Sequence, residues 1–494
     1  MTDRTVTAIP AATQVLPARL EPDAIGAAQD TIIGMGNSAP TVAIGLSLAG
    51  LTAASAYGGA PVIILCGIPM LIIANAYRRL NLWSANCGAS FEWVGRAINP
   101  YLGFMTGWLM IAGSLVAAVS GVVVLAPSVL AIFGDSALST WPNIFISTAV
   151  IVVLLAIAVV GIRLTARSQV AMGLIEYVIL VGISAWGLVA VLNHHHGTFP
   201  ISRGWFSLSG IDGKGSLASG LLIAVFMIAG WDATVYVNEE VKHRRHNPGR
   251  AAVIAVAILI VMYSFCQIGL QGVVSPAKLQ ANSSSVLVYI AQALGGGGWA
   301  KVMAFALALS VIASTGVSIV ILARMAYGMA SHRVLPAVLG NVSTRFATPA
   351  VASIVVGVIL IAVTWAYLLS SSIANAFTAL IDVSGVLYAS FYLLTALSAV
   401  AYYRRRIFSN AWDAVLVGIL PVAAAGFLVW IVAKSVQNAP ASQRWSLISI
   451  VTVGVILMLA ARFILRSPFF QIRRESAARL APADRNVGGW PVCG

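Results

Sequence analysis

The chain has 494 residues, of which 60% are apolar and 9% charged, with a formal net charge of +14. Soluble domains carry about 25% charged residues, so this composition excludes a water-soluble core. It suits bilayer-spanning helices of about 20 apolar residues with their backbone groups bonded internally. The positive charge implies no nucleic-acid partner, because the Lys and Arg sit in short connections between apolar runs, as in membrane proteins generally. Cys66, Cys87, Cys266 and Cys493 follow no metal or disulfide spacing and read as packing residues. No metal and no cofactor is expected.

Residues 1–25 lack the basic start and apolar stretch of a signal peptide and read as a cytoplasmic tail. Apolar stretches follow at 26–55, 60–77, 101–131, 143–162, 168–193, 216–241, 250–274, 300–329, 349–370, 375–402, 411–434 and 445–465. The expected fold class is an all-α polytopic membrane protein with 12 transmembrane helices. They fall into two five-helix blocks, 26–193 and 216–402, then two extra helices in 411–465 and a cytoplasmic tail at 466–494.

The first span contains Gly34-Met35-Gly36-Asn37-Ser38-Ala39-Pro40. Pro40 lacks an amide proton and its ring collides with the carbonyl four residues back, which interrupts the helix near Gly36. Backbone groups freed at that depth are tolerated where they line a polar cavity or meet a ligand. A plain proline kink fits this span equally well when it is taken alone. The fifth span carries Glu176, where proton coupling and a protonated structural carboxyl hydrogen-bonded to the first span are both open. The next connection begins with His194 to His196, read as a solvated loop in preference to a metal site.

The sixth span repeats the interruption at Ala229-Gly230-Trp231-Asp232. Asp232 faces a solute and is the second candidate for proton coupling after Glu176, or else caps the restarted half-helix, and Trp231 either closes a cavity or packs on a neighbouring helix. The pair Glu239-Glu240, beside Lys242, Arg244, Arg245 and Arg250, reads as a gate or salt network. In the eighth span Ser310, Ser314 and Thr315 offer an ion site against the first, with hydroxyls bonded back to their own helix as the common alternative. Asp382, roughly 10 Å into the tenth span, either draws cations into an outer vestibule or bonds a neighbouring hydroxyl.

Interrupted helices at matching positions of two halves point to an inverted-repeat transporter with its site between them. Since five helices is an odd number, the second block starts from the opposite side. Half-helix starts at Ser38 to Thr41 offer amide protons to a carboxylate, and half-helix ends at Gly34 to Gly36 and Met227 to Gly230 offer carbonyls to an ammonium. These poles suit a small amine-bearing solute such as an α-amino acid. Only Arg203, Lys214, Lys278, Lys301, Lys434 and Arg444 fall on one side; the other 23 of the 29 Lys and Arg fall on the side of the termini, which is therefore cytoplasmic.

Gly88-Ala89-Ser90-Phe91-Glu92-Trp93 with Asn99-Pro100-Tyr101-Leu102-Gly103, then Gly230-Trp231-Asp232 through Glu239-Glu240-Val241-Lys242, Pro248 and Arg250, and Arg324 with Leu335-Pro336, resemble the amino acid, polyamine and organocation transporter superfamily over almost the whole chain. The resemblance implies a five-plus-five inverted repeat with helices 1 and 6 discontinuous and two extra helices in the cell membrane. It places substrate on the backbone of Gly36, Asn37, Ser38 and Ala39 and of Ile228, Ala229 and Gly230. Many members carry a lysine in helix 5 where this chain has Glu176, a departure that argues against lysine-based coupling. The proton is favoured over sodium as coupling ion, in symport or exchange. Polyamines or other organic cations are the runner-up substrates, and a nutrient sensor is the lesser alternative. An intramembrane enzyme is disfavoured, since the sequence has no HExxH or Walker A run and no His within a span.

Overall fold

The computed structural model describes residues 19–476 except 56, 135–139, 196, 210, 212, 284, 371–372, 409–410 and 473. Most of the N-terminal tail, His196, Cys493 and the end of the C-terminal tail lie outside the described residues.

In chain order the helices are α1 (Ala27–Asn37), α2 (Pro40–Ser55), α3 (Gly59–Trp83), α4 (Ala89–Ala97), α5 (Pro100–Ile132), α6 (Thr140–Val160), α7 (Ile162–Leu192), α8 (Gly213–Ile228) and α9 (Ala233–Tyr236). They continue with α10 (Asn247–Gln271), α11 (Pro276–Ala281), α12 (Val286–Gly295), α13 (Gly297–Ser331), α14 (Ala350–Ser370) and α15 (Ile373–Ile407). Then α16 (Ala411–Asp413) runs through a π-helical turn, Ala414–Ile419, into α17 (Leu420–Asn438), and α18 (Ala441–Phe463) follows. Among the described residues, 11 helices are long and apolar enough to cross a membrane. The remaining expected span, 216–241, is the shorter α8 followed after a break by the single turn α9.

Three differences from the sequence expectation have physical causes. The second span runs to Trp83 rather than 77, because its terminal cations do not end it: Arg79 is buried and its carbonyl accepts a 2.9 Å bond from the Tyr403 hydroxyl. The segment before the third span folds as α4, whose burial makes it part of the bundle's end. The connection 275–299 holds α11 and α12, with the Ser275 side chain capping α11 through the Lys278 amide.

The core lies along α13, where 83% of the most apolar stretch is buried, against 11% in α18. The peripheral helices instead present Val178, Val261 and Ile456 outward, a pattern costly in water and neutral against lipid.

Candidate functional site

The two helix breaks meet at the centre of the bundle. Pro40 starts α2 without a donor, and Ala39 before it takes a left-handed φ of 47°, a strained choice for a residue with a side chain. Gly230 has φ 103°, and a Cβ there would lie 2.9 Å from the Ser38 nitrogen and 3.0 Å from the Asn37 carbonyl carbon. Only glycine allows both the conformation and the approach. Asn37 then ties three helices, its amide donating to the Gly230 carbonyl (3.1 Å) and its oxygen accepting from Ser318 (3.2 Å).

A cavity of about 40 Å³ opens beside this junction. Asn37, Ser38, Ala39 and Ala229 line it, as do Ser314, Ser318, Ser120, Phe226 and Tyr388. Gly36, Ile228, Gly230, Trp231 and Asp232 do not. Gly36 packs beneath Gln169, and Trp231, fully buried, stacks on Tyr392 and meets Tyr77 edge-on. Of the alternatives open for Trp231, packing on neighbouring helices is the observed geometry.

Several poles of the breaks are held by groups of the chain itself. The Thr41 amide, first donor of α2, gives a 2.9 Å bond to Glu176 Oε1, and the Val42 amide donates to Ser310 Oγ at 3.4 Å. The amides of Ser38 and Ala39 turn back onto the Met35 and Gly36 carbonyls. Asp232 accepts a 2.7 Å bond from the Tyr392 hydroxyl, which itself accepts from the Gly230 amide at 3.1 Å; its side chain makes no cap on α9. Ser314 donates back to the Val311 carbonyl, while the buried Thr315 hydroxyl has no protein partner. Asp382 is joined to Gln443 of α18 (3.1 Å) and is not part of the cavity wall.

A family profile described as amino acid permease matches residues 29–459. The chain belongs to the amino acid permease family. It is 24% identical over 392 residues to the D-serine/D-alanine/glycine transporter of Escherichia coli (strain K12), covering 78% of this chain and 79% of that one. A 135-residue stretch is 28% identical to Asc-type amino acid transporter 1 of Homo sapiens, covering 27% of this chain and 25% of that one. The crystal structure of MhsT in complex with L-phenylalanine shares the fold, with a TM-score of 0.59 and 16% identity over 84% of this chain and 99% of that one. The permease is thus a multi-pass membrane transporter of amino acids.

At the end of the bundle where the chain enters α1, the permease is fastened by a buried ion pair. Arg324 of α13 grips Glu240 with two 2.9 Å bonds, both side chains fully buried. The same residue's backbone accepts from Ile25, whose carbonyl accepts from Lys242, so the chain entering α1 is paired onto the end of the sixth span. Sequence reasoning missed Asp30, fully buried in α1 with neither carboxyl oxygen bonded. It also missed Phe226, Ser120, Ser318 and the pair Tyr388 and Tyr392. Ser318 was within reach, since it lies four residues after Ser314 on the same helical face.

Proposed function

We propose that the permease carries small neutral amino acids across the cytoplasmic membrane by alternating access, in symport with protons loaded on Glu176. The observation that carries this reading is the Glu176 carboxyl seated on the Thr41 amide at the N-terminus of α2, beside the cavity. A half-helix start is where a substrate carboxylate binds best, and here a carboxyl of the chain already holds it. Protonation removes the charge that strengthens this bond and leaves the amide to a substrate carboxylate. Proton and substrate then favour each other's binding, which is the thermodynamic requirement for symport. On the other side, loss of the proton returns Glu176 to Thr41 and displaces the substrate.

Ala39, Ala43, Ala117, Ala118, Gly121 and Ala229 give the cavity small walls. Its volume admits about three waters, so a solute enters only as the walls part, and a small one requires least movement. No acid lines it, which favours neutral amino acids over polyamines, and the name of the E. coli relative supports the same class. In this reading the blocks 26–193 and 216–402 rock against each other, with the Arg324 to Glu240 lock on the cytoplasmic side.

The test uses purified protein in vesicles with labelled glycine, alanine or serine. Glu176→Gln keeps the shape of the side chain and, like the protonated acid, carries no charge to hold the Thr41 amide against a substrate carboxylate, so exchange of labelled for unlabelled substrate persists while accumulation driven by an inward proton gradient is lost. Undiminished gradient-driven accumulation in the variant overturns coupling through Glu176.

A further inference from the structure

A second cavity, about 420 Å³ in volume, lies between α5, α15, α17 and α18 and shares no lining residue with the central one. Its walls are apolar, formed by Leu109, Val386, Leu387, Val436, Leu447 and Val451, and Arg444 stands on its rim near the start of α18. From Arg444 to Thr452 the crevice follows nine residues of α18, about 12 Å of helix. Trp445, Ile448 and Val451 are exposed along the same helix, so this face meets hydrocarbon.

Arg444 is solvent-exposed and forms no ion pair among the described residues. It is one of only six cations on the side of the chain where Lys and Arg are depleted. Asp382, held by the neighbouring Gln443, does not line the crevice. An apolar slot running into the bilayer beneath a free guanidinium matches one kind of molecule, an acyl chain that carries a negative headgroup.

The geometry points to a binding site for an anionic phospholipid, with one acyl chain between α5, α15 and α18 and the phosphate on Arg444. A guanidinium holds phosphate by two parallel hydrogen bonds, and a cation near an anionic membrane surface is worth about fivefold in affinity. An arginine that merely reaches the interface would prefer no headgroup. The site stands apart from the transport reading, since neither Arg444 nor the crevice touches the central cavity.

The experiment titrates the purified full chain, in a neutral detergent, with phosphatidylglycerol or phosphatidylcholine of identical chains, and follows the thermal midpoint. Phosphatidylglycerol is expected to stabilise at about fivefold lower concentration. Arg444→Gln should erase that preference, and Val451→Trp, which fills the crevice, should weaken the response to both lipids. Glycerol 3-phosphate, a headgroup without chains, should do nothing. Equal response of the unaltered protein to the two lipids overturns the proposal, and that measurement needs no variant to fold. A preference that survives Arg444→Gln also overturns it. So does a doubled mass in lipid-free detergent that Val451→Trp abolishes, which would make this face a contact between two copies.

Discussion

At the scale of single residues, Gly230 makes the strictest demand. Its φ of 103° and the 2.9 Å approach to the Ser38 backbone leave no flexible side chain to yield, and a forced left-handed residue costs about 1–3 kcal/mol before any clash. Gly230→Ala is therefore expected to reduce transport at least tenfold while the protein still inserts. Gly182→Ala, where an added Cβ meets nothing within 4 Å, serves as the control and should transport normally. Pro40 and Gly230 were legible in the sequence because breakers act on their own helix. A bond from Glu176 to the first span was among the readings the sequence offered, but the particular partners were not, because Thr41 lies 135 residues from Glu176 and Tyr392 160 from Asp232. Those pairings depend on rotation and depth between helices, which periodicity does not encode. Asp30 escaped for a different reason: it sits at the start of a span, where an acid in the first turn is ordinary.

At the scale of elements, the end of the bundle near the N-terminus is held by two fastenings. The buried Arg324 to Glu240 pair joins α13 to the end of the sixth span. Removing one partner strands a buried charge, at a cost of about 3–5 kcal/mol, whereas replacing both by apolar groups is often neutral. Glu240→Leu or Arg324→Met alone should lower the thermal midpoint sharply, and the double variant should recover most of it. If the double variant is as unstable as the singles, the pair is not an isolated lock. The second fastening is the short turn Pro468–Gln471 after α18. Phe469 is buried, stacks on Phe91 of α4 at 4.3 Å and meets His332 edge-on, while Glu475 bonds Arg96. Phe469→Ala should cost about 3–5 kcal/mol, measured by thermal unfolding. Beside it, burial pushes the Glu92 carboxyl up, but His332 and Arg96 together outweigh burial and hold it below its ordinary value. Its contribution is thus complete at neutral pH and fades only as the pH falls through that lowered value. Neither fastening could be assembled from sequence, although Glu239-Glu240 among basic residues did mark where one of them lies.

At the scale of the whole molecule, the remaining question is which way the bundle faces, and the distribution of charge argues for one answer. Cations near span ends are retained on the cytoplasmic side during insertion, so a count of 23, eight of them in or next to the tails, against six is the ground on which we propose that both termini face the cytoplasm. The fold adds a consequence: the Arg324 to Glu240 lock and the α4 fastening then both lie on the cytoplasmic face, and the connection with His194 and His195 lies outside. Cysteine substitution tests this directly, because Cys66, Cys87 and Cys266 are buried and Cys493 can be replaced by serine. His195 and Arg405 are both exposed, so a cysteine at either reacts if reagent reaches that side. In intact cells a membrane-impermeant thiol reagent should label His195→Cys and leave Arg405→Cys unmodified, and permeabilised cells should label both. Labelling of Arg405→Cys from outside would invert the molecule, and would place the buried lock at the entrance for external substrate rather than at its exit.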